Sequence, residues 1–437
     1  MGENGNKKVL GEDEIFDARE LGTFRVLVLG LQHTFAMFGA TVLVPLLTGL
    51  SVSTTLLFAG IGTLLFHAVT RRKVPAFLGS SFAFLAGYGA VAPMAGDVPN
   101  AEMLPYACGG VVVAGLVYVV LAGMIKWFGI NKVMRFFPPV VTGPIIICIG
   151  LTLSSSAITN CSTDWLLALC ALIPIIVANI WGKGMVKIVP IMIGIGVSYA
   201  VALLMGAVDF TAVREADWLG FPAVTMAKFE TGAIITIVPI ALATVVEHIG
   251  DISAISATAG KNYIQDPGLH RTILGDGLAT GLAAMFGGPA NTTYGENTGV
   301  LALTKVYDPI VMEIAAVTAV LLSFIPKFAA VVSSIPTAII GGVSLILYGM
   351  ISAVGVRNVV ENRIDFTASR NLIIAAVIMV SAIGFGGTGI TFCVGSASIR
   401  LTGLAIAALA GIFLNAVLPG NDYEFETLRE KGVNYKL

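Results

Sequence analysis

Two stretches of the sequence, PAFLGSSFAF at residues 75–84 and PANTTYGENTG at residues 289–299, interrupt long apolar runs with small and polar residues. Each opens with Pro-Ala and continues with a short piece typical of extended backbone followed by helix. Non-helical backbone is tolerated inside a membrane only where protein buries it or where it lines a cavity. Paired interruptions in two halves of a chain indicate the substrate site of a transporter. The two stretches therefore predict a polytopic helical membrane protein with a central binding site.

The composition of the whole chain also favours a membrane protein. Of 437 residues, 56% are hydrophobic and 12% are charged, and the mean hydropathy is +0.90. Soluble domains carry about 25% charged residues, so charge is depleted about twofold. The net charge of −1 gives no electrostatic reason to expect a nucleic-acid partner. The charged N-terminal segment lacks the pattern of a cleavable signal, so we expect the first apolar helix to be retained.

Catalytic and metal-binding signatures are missing from the sequence. It contains no His-Glu-x-x-His motif, no Gly-x-Ser-x-Gly elbow and no phosphate loop, so we predict neither an enzyme nor a cofactor. The five cysteines fall in or near apolar segments and lack the spacing of metal ligands or redox pairs: Cys108, Cys148, Cys161, Cys170 and Cys393. We expect them to be small core residues rather than metal ligands or disulfides.

Fourteen apolar runs approach the length of about 20 residues that a membrane-spanning helix needs. The runs begin near Phe24, Thr54, Pro75, Met103, Phe136, Trp165, Val186, Thr231, Leu269, Ala290, Pro309, Pro336, Asn371 and Ile399. The third and tenth runs contain the two interrupted stretches and are doubtful as full spans, because they are rich in Gly, Ser, Thr and Asn.

The positions of the basic residues predict the orientation of these spans. With the N-terminus inside, only four of the 25 Lys and Arg residues, Arg214, Lys228, Lys327 and Arg400, fall on the outer side, and the other 21 fall on the cytoplasmic side. Both termini are then cytoplasmic. The long polar connection at residues 209–230 lies between the seventh and eighth spans and divides the chain into two halves of seven. An odd number of spans in each half requires that any repeat be inverted in the membrane.

A faint internal repeat relates the two halves. Gln32-His33 in the first run matches Glu247-His248 in the eighth at an offset of 215, and Pro75-Ala76 matches Pro289-Ala290 at an offset of 214. The shared order and the near-equal spacing favour a repeat over chance. In this register Ser81-Phe82 corresponds to Gly295-Glu296.

Ionisable side chains inside apolar runs cost about 2.5–3.5 kcal/mol each on insertion scales. Glu247 and Asp251 lie four residues apart and share a helix face, where two carboxylates do not both ionise easily. We expect Glu247 and Glu296 to act in the site, whereas Asp251 either acts there or orients a neighbour. His33 either positions a helix or contributes to the site. The others in such runs are expected near span ends or at the interface: His67, Asp276 and Glu313.

Backbone donors are expected at the two strand-to-helix junctions. Free N–H groups at the start of a helix can donate to a polar ligand. Phe82 is of interest for its backbone, although a phenylalanine in a span usually belongs to the core. At Gly295 the missing side chain lets a ligand approach the chain closely.

The motif Glu296-Asn297-Thr298-Gly299, followed after four residues by Thr304-Lys305, resembles the signature of the nucleobase–ascorbate transporters. Gln32-His33 resembles the Gln-His motif of that family. Longer stretches covering nearly the whole chain resemble its bacterial uracil-transporting members; they begin at Gln32, Pro75, Asp266, Asn291 and Gly341. The resemblance implies proton-coupled uptake of uracil across the cytoplasmic membrane by alternating access.

The resemblance also implies an architecture and a site. Fourteen spans form two inverted repeats of seven, with a core domain at residues 1–135 and 231–334 and a gate domain at residues 136–230 and 335–437. The third and tenth segments carry short antiparallel strands. Uracil is contacted by Glu247 and Glu296, by the backbone at Phe82 and Gly295, and by Tyr348 from the gate. The resemblance also implies that Glu247, Asp251 and His33 take part in proton coupling.

One position departs from the family pattern. Some uracil transporters have a histidine four residues after the first glutamate, where it orients that carboxylate, but this chain has Asp251. The group that carries the proton is therefore left open. Members of the family often dimerise through gate helices, so a homodimer within membrane lipid is compatible with the sequence.

Two other transport functions stay open at this point. A xanthine or uric acid permease of the same family is the first, although purine members tend to have Gln where this chain has Glu296. An anion transporter of the sulfate-carrier type is the second. Such carriers usually end in a soluble domain, whereas 18 residues follow Pro419 here.

Overall fold

The computed structural model describes residues 10–94, 98–386, 389–394 and 397–420. The polypeptide is predominantly helical, as the sequence predicts. Lys7, Lys8, Arg429, Lys431 and Lys436, which enter the count of basic residues, lie outside the described residues.

The first half of the chain contains ten helices and one strand within the described residues. In chain order they are α1 (Thr23–Thr48), α2 (Val52–Val69), β1 (Leu78–Ser80), α3 (Leu85–Val91), α4 (Leu104–Phe128), α5 (Ile130–Met134), α6 (Pro139–Cys161), α7 (Trp165–Trp181), α8 (Met185–Ile188), α9 (Pro190–Leu204) and α10 (Thr211–Glu215). A 3₁₀ turn at Ala18–Leu21 precedes α1.

The second half contains nine helices and three strands within the described residues. They are α11 (Thr231–Ile237), α12 (Ile240–Ala259), α13 (Leu269–Met285), β2 (Asn291–Thr293), α14 (Gly295–Thr304), α15 (Ile310–Ser323), α16 (Pro326–Ser333), α17 (Thr337–Glu361), α18 (Ser369–Gly384), β3 (Ile390–Val394), β4 (Ala397–Leu401) and α19 (Gly403–Val417). A π-helical turn at Ile264–Gly268 precedes α13.

Six helical stretches in the described part of the chain are long and apolar enough to cross a membrane: α1, α2, α4, α6, α17 and the run of α11 and α12 at residues 231–259. A seventh forms if α15 and α16, which meet at an angle of 89°, count as one span. Shorter apolar helices of 10–17 residues are α7, α9, α18 and α19. Each of the fourteen apolar runs thus contains helix, although several are too short to span alone.

The predicted start of the fourteenth apolar helix is wrong, because the helix begins later in the chain. The sequence places a helix near Ile399, but residues 390–394 and 397–401 pair as antiparallel strands, with Ile390 opposite Leu401, and α19 begins at Gly403. The sequence from Ile390 to Val394 consists of β-branched, aromatic and small apolar residues that fit a pleated strand as well as a helix. Apolar content alone therefore did not distinguish the two.

Helix packing falls into two sets. The most extensive contact joins α6 to α17, and α7, α9, α18 and α19 pack around that pair. In the other set α13 packs against α4 and α2, while α15 packs against α2 and α1. Of the cysteines expected in the core, Cys108, Cys148 and Cys161 are buried and Cys170 is half-buried, and these four are free thiols; the side chain of Cys393 lies outside the described residues.

Connecting segments rich in basic residues gather at one end of the protein. Arg72 pairs with Glu313 at 2.5 Å and Lys73 with Asp266 at 2.6 Å. At the same end Ile15, which is fully buried, forms a parallel bridge with Val306. These contacts join the loops before α3, α13 and α15 to the segment before α1.

The polar connection at residues 209–230 crosses the opposite ends of the helices. Its backbone accepts a hydrogen bond from Thr54 and donates from Lys228 to Pro105 at 2.9 Å. Gly220 donates to Phe324 at 3.1 Å. The connection therefore ties together the ends of α2, α4 and α15.

The close approach of α6 to α17 requires glycine at position 150. A Cβ at Gly150 would overlap the backbone oxygen of Tyr348 and the hydroxyl of Ser352. We expect Gly150→Ala to force the two helices apart and to cost about 1–3 kcal/mol in the free energy of unfolding, as overpacking does. The matched control is Gly349→Ala on α17, where a Cβ meets no atom within 4 Å. It should leave stability unchanged or raise it slightly, because alanine favours helix. Thermal unfolding in detergent measures both, and equal melting temperatures would contradict the packing argument.

Candidate functional site

The two interrupted stretches meet as strands in the interior, as predicted. In the β1–β2 pair Leu78 lies opposite Thr293 and Ser80 opposite Asn291, in antiparallel register. The pairing continues beyond the strands, since Ser81 donates to the Ala290 oxygen at 2.8 Å. All six strand residues are buried, so each strand satisfies backbone groups of the other away from water.

Side chains lock the crossing of the two strands in place. The Tyr294 hydroxyl donates to the Ser80 backbone oxygen at 3.0 Å and lies 3.4 Å from the Thr41 hydroxyl. Thr280 donates to the Asn291 backbone oxygen at 2.8 Å. These hydroxyls connect the strands to α1 and α13. No local pattern predicts the contacts of Tyr294, because Ser80 and Thr41 lie far from it along the chain.

A helix follows each strand, and both helices begin near the crossing. Gly295 starts α14 directly after β2, and Phe82 lies between β1 and α3. Gly295 is exposed although its neighbour Tyr294 is buried, so the backbone is accessible at the start of α14. Phe82 is buried. The first N–H groups of such helices have no partner within the helix and are available to a ligand.

The predicted carboxylates of α12 lie beside the start of α14. Asp251 Oδ2 accepts a hydrogen bond of 2.9 Å from the Thr293 hydroxyl, and its Oδ1 would lie 3.9 Å from a Cβ placed on Gly295. Glu247 lies one turn earlier and within electrostatic range of Glu296. Glu247 Oε2 is buried without a hydrogen-bond partner among the described residues. The structure therefore brings Glu247, Asp251, Gly295 and Glu296 to one place.

His33 reaches the same region from α1. The Asn297 side-chain nitrogen lies 3.1 Å from His33 Nδ1 and 3.2 Å from the His33 backbone oxygen. An amide N–H donates, so this Nδ1 acts as an acceptor and the ring proton is on Nε2. His33 is fully buried and holds α14 one residue away from Glu296. The contact fits the positioning alternative of the sequence analysis.

Tyr348 approaches the site from the other set of helices. Its ring meets the Phe82 ring edge-to-face, with centroids 6.0 Å apart and planes at 78°. Both side chains are buried. Edge-to-face pairs of this kind stabilise a contact by about 0.5–1.5 kcal/mol beyond the burial of area. Tyr348 therefore lies where α17 faces the β1–α3 junction.

Three further ionisable residues lie inside apolar runs. Glu313 lies in the first turn of α15, as expected near a span end, and pairs with Arg72. His67 lies in the last turn of α2, next to the basic loop, and is buried, with its Nε2 2.8 Å from the Ala76 oxygen. Asp276 is wrong as an end residue, since it lies in the middle of α13 and is fully buried beside His248 at 3.0 Å.

The site combines acceptors with donors. Glu247 and Glu296 present carboxylate oxygens, the helix starts after β1 and β2 present N–H groups, and Phe82 presents a ring. No group of three or more His, Cys, Asp or Glu residues suited to a metal ion occurs in the described part of the chain. The arrangement can bind a small polar molecule with both donors and acceptors.

Comparison with solved structures shows that the fold resembles those of other known proteins. The transmembrane domain of the cyanobacterial bicarbonate transporter BicA aligns with a TM-score of 0.62 at 14% identity, over 91% of this chain and 99% of that domain. The structure of SLC26A9 aligns with a TM-score of 0.67 at 12% identity, over 90% of this chain and 64% of that longer chain. At these identities the likeness concerns the fold alone.

Comparison of sequences then gives the family. The model described as a permease family matches residues 24–388. The chain belongs to this family, the nucleobase–ascorbate transporters, and is a multi-pass membrane protein and a transporter.

Relatives at high identity extend over almost the full length. The uracil permease of Bacillus caldolyticus is 43% identical over 98% of this chain and 98% of its own length. The uracil permease of Escherichia coli K12 is 38% identical over 89% and 90%. A putative pyrimidine permease of the same organism, RutG, is 40% identical over 90% and 89%.

The contribution of the Thr293–Asp251 hydrogen bond to the free energy of unfolding can be measured with a variant that lacks the hydroxyl. Thr293→Val keeps the shape of the side chain but removes the donor to a half-buried carboxylate, so we expect a loss of about 1–3 kcal/mol in the free energy of unfolding. The neighbouring Thr292 is the matched control, because its hydroxyl is buried without a hydrogen-bond partner among the described residues. Thr292→Val should change stability by no more than about 0.5 kcal/mol. Thermal unfolding without substrate compares the two, and a larger loss in Thr292→Val would contradict the assignment.

Proposed function

We propose that the protein takes up uracil across the cytoplasmic membrane in symport with protons, by alternating access. The choice of uracil as the substrate rests on the similarity, over nearly the full length, to relatives named uracil permease. The geometry supports it, because two carboxylates and two helix starts converge where the strands cross.

The chemistry of uracil matches this set of groups. The base presents two ring N–H donors and two carbonyl acceptors. We infer that Glu247 and Glu296 accept from the ring N–H groups and that the backbone N–H groups at Phe82 and Gly295 donate to the carbonyls. Tyr348 closes the site from α17. The unpartnered Glu247 Oε2 supports its assignment, since a buried acceptor is costly unless a donor arrives.

The proposed architecture has fourteen spans in two inverted repeats of seven, with both termini cytoplasmic. The core domain comprises residues 1–135 and 231–334, and the gate comprises residues 136–230 and 335–437. The two packing sets of helices support this division. The paired strands at equivalent positions of the two halves support the repeat. A homodimer through gate helices belongs to the same proposal.

Uphill uptake of a neutral base needs a coupled ion. One proton crossing 100 mV supplies about 2.3 kcal/mol, which is close to fiftyfold accumulation at about 1.4 kcal/mol per tenfold. We propose that Glu247 and Asp251 share the proton and that His33 supports them through Asn297. Protonation neutralises part of a buried cluster of carboxylates and so favours movement of the core domain past the gate.

Uptake of radiolabelled uracil into proteoliposomes under an imposed pH gradient tests this function directly. Xanthine as a competitor tests the alternative of a purine permease in the same experiment. Uracil uptake that xanthine leaves unchanged supports the proposal. Uptake of xanthine but not of uracil would make the protein a purine transporter.

We expect Glu247→Gln and Glu296→Gln each to abolish detectable uracil binding. The isosteric amide keeps the shape but presents N–H groups toward the ring N–H donors, and the loss of one buried charged pairing costs about 2–5 kcal/mol. Calorimetry on the purified protein measures the affinity. The control is Glu361→Gln, an exposed carboxylate on α17 paired with Arg357, which should bind as the unmodified chain does. Near-normal affinity in either site variant would remove that residue from the site.

We expect Asp251→Asn to retain uracil binding while uptake loses its dependence on the pH gradient. The asparagine oxygen can still accept from Thr293, so the contact at 2.9 Å survives, but the second titratable carboxylate is gone. Without its repulsion Glu247 stays ionised more readily and takes up a proton less readily. Counterflow of uracil should therefore outlast pH-driven uptake on the same proteoliposomes. A proportional loss of both activities, or no change in either, would exclude Asp251 from coupling.

A further inference from the structure

A fully buried pair of ionisable side chains lies behind the proposed site. His248 of α12 and Asp276 of α13 both have no exposed surface, and His248 Nδ1 lies 3.0 Å from Asp276 Oδ2. An ionised carboxylate at such a place is costly unless a counter-charge accompanies it. The proposed binding of uracil uses neither residue, so the pair needs a role of its own.

The pair connects to the site through one hydroxyl. The same His248 Nδ1 lies 3.4 Å from the Thr293 hydroxyl, and that hydroxyl donates to Asp251 Oδ2 at 2.9 Å. Asp251 in turn borders Gly295, the first residue of α14. A continuous polar path therefore runs from Asp276 through His248 and Thr293 to Asp251, across α13, α12 and β2.

The ionisable groups that surround His248 are mainly carboxyl groups. Glu247 and Asp251 share its helix, Asp276 faces it from α13, and Glu296 acts on the cluster from α14. From α4, Tyr118 lies within electrostatic range of Asp276 and hydrogen-bonds to Thr244. From α2, the Phe66 ring meets the imidazole at 71° with centroids 6.4 Å apart. Four carboxylates thus lie around one imidazole.

We propose that His248 carries a proton, and that the His248–Asp276 ion pair positions Asp251, through the Thr293 hydroxyl, at the start of α14. His248 and Asp276 are positioning residues, since they act on the bound base only through other side chains. The inference rests on the proposed function for its substrate. Beyond that function, the inference assigns to His248 a positive charge that balances the neighbouring carboxylates Glu247 and Asp251.

The variant His248→Gln tests the positive charge of His248 separately from its ability to donate a hydrogen bond to Asp276. The glutamine side chain can still donate to Asp276, as a neutral imidazole would, but it cannot carry a positive charge. His248→Gln then leaves the negative charge of Asp276 uncompensated, which makes ionised Glu247 less favourable. Adding Asp276→Asn removes that charge and restores the net neutrality of the pair.

The experiment measures equilibrium binding of radiolabelled uracil from pH 5 to pH 8.5, on the full chain in proteoliposomes. As the pH falls, protonation of Glu247 should abolish binding around a midpoint pH. In His248→Gln we expect this midpoint to lie about one pH unit or more above that of the unmodified chain. In the double variant His248→Gln/Asp276→Asn the midpoint should return toward that of the unmodified chain. An unchanged profile in His248→Gln, or a shift that Asp276→Asn does not reverse, overturns the proposal.

His67→Gln is the matched control. His67 is also a buried histidine beside a carboxylate, with Nδ1 3.4 Å from Glu313, but it joins α2 to α15 away from Asp251. Its profile should match that of the unmodified chain. A shift as large as that of His248→Gln would show that loss of any buried histidine produces the effect, and would overturn the proposal.

Thermal unfolding in detergent separates this inference from the proposed function. If the unmodified chain fails to bind uracil, the substrate is wrong, and the pair is then judged by stability alone. The melting temperature should fall in His248→Gln and recover in the double variant, because no unpaired buried charge remains. Additive losses in the double variant would overturn the ion pair without reference to any substrate.

Discussion

Backbone that leaves the helix inside an apolar protein needs hydrogen-bond partners, and this constraint shapes the centre of the molecule. Residues 78–80 and 291–293 satisfy it by pairing with each other, and side-chain hydroxyls such as those of Thr280 and Tyr294 supply further partners. Because the two segments come from different halves of the chain, their pairing fixes the relative position of those halves. Two helix starts are thereby fixed beside one another in the interior.

The helix starts in turn determine where charged side chains are tolerated. Glu296 lies in the first turn of α14, where the partial positive charge of a helix N-terminus favours a carboxylate. Asp251 accepts from Thr293 immediately before that turn. From α1, His33 holds the same turn through its contact with Asn297. Ionisable groups that are costly elsewhere in an apolar core are thus gathered where backbone and hydroxyl donors already exist.

The sequence predicts the parts of this arrangement that depend on local composition. Pro75 and Pro289 mark the strands, and the spacing of Glu247 and Asp251 puts both carboxylates on one face. The sequence could not reveal the Thr293 hydroxyl as the donor to Asp251, because the two residues meet only through the fold. Asp276 was assigned to a span end for the same reason: apolar runs locate a helix but not its contacts. The sequence does not predict that residues 390–394 and 397–401 pair as strands, because these residues suit either helix or strand.

The contact between Tyr348 and Phe82 differs in kind from those that hold the carboxylates. Hydrogen bonds join β1 to β2, Thr293 to Asp251 and Asn297 to His33, and breaking any of them would leave a buried polar group unpaired. The rings of Tyr348 and Phe82 meet through apolar surface. Separating them would therefore break no hydrogen bond between the two side chains. A dispersion contact can be remade in a shifted position because it has little directional requirement. The hydrogen bonds that hold the carboxylates in place therefore do not depend on the contact with α17.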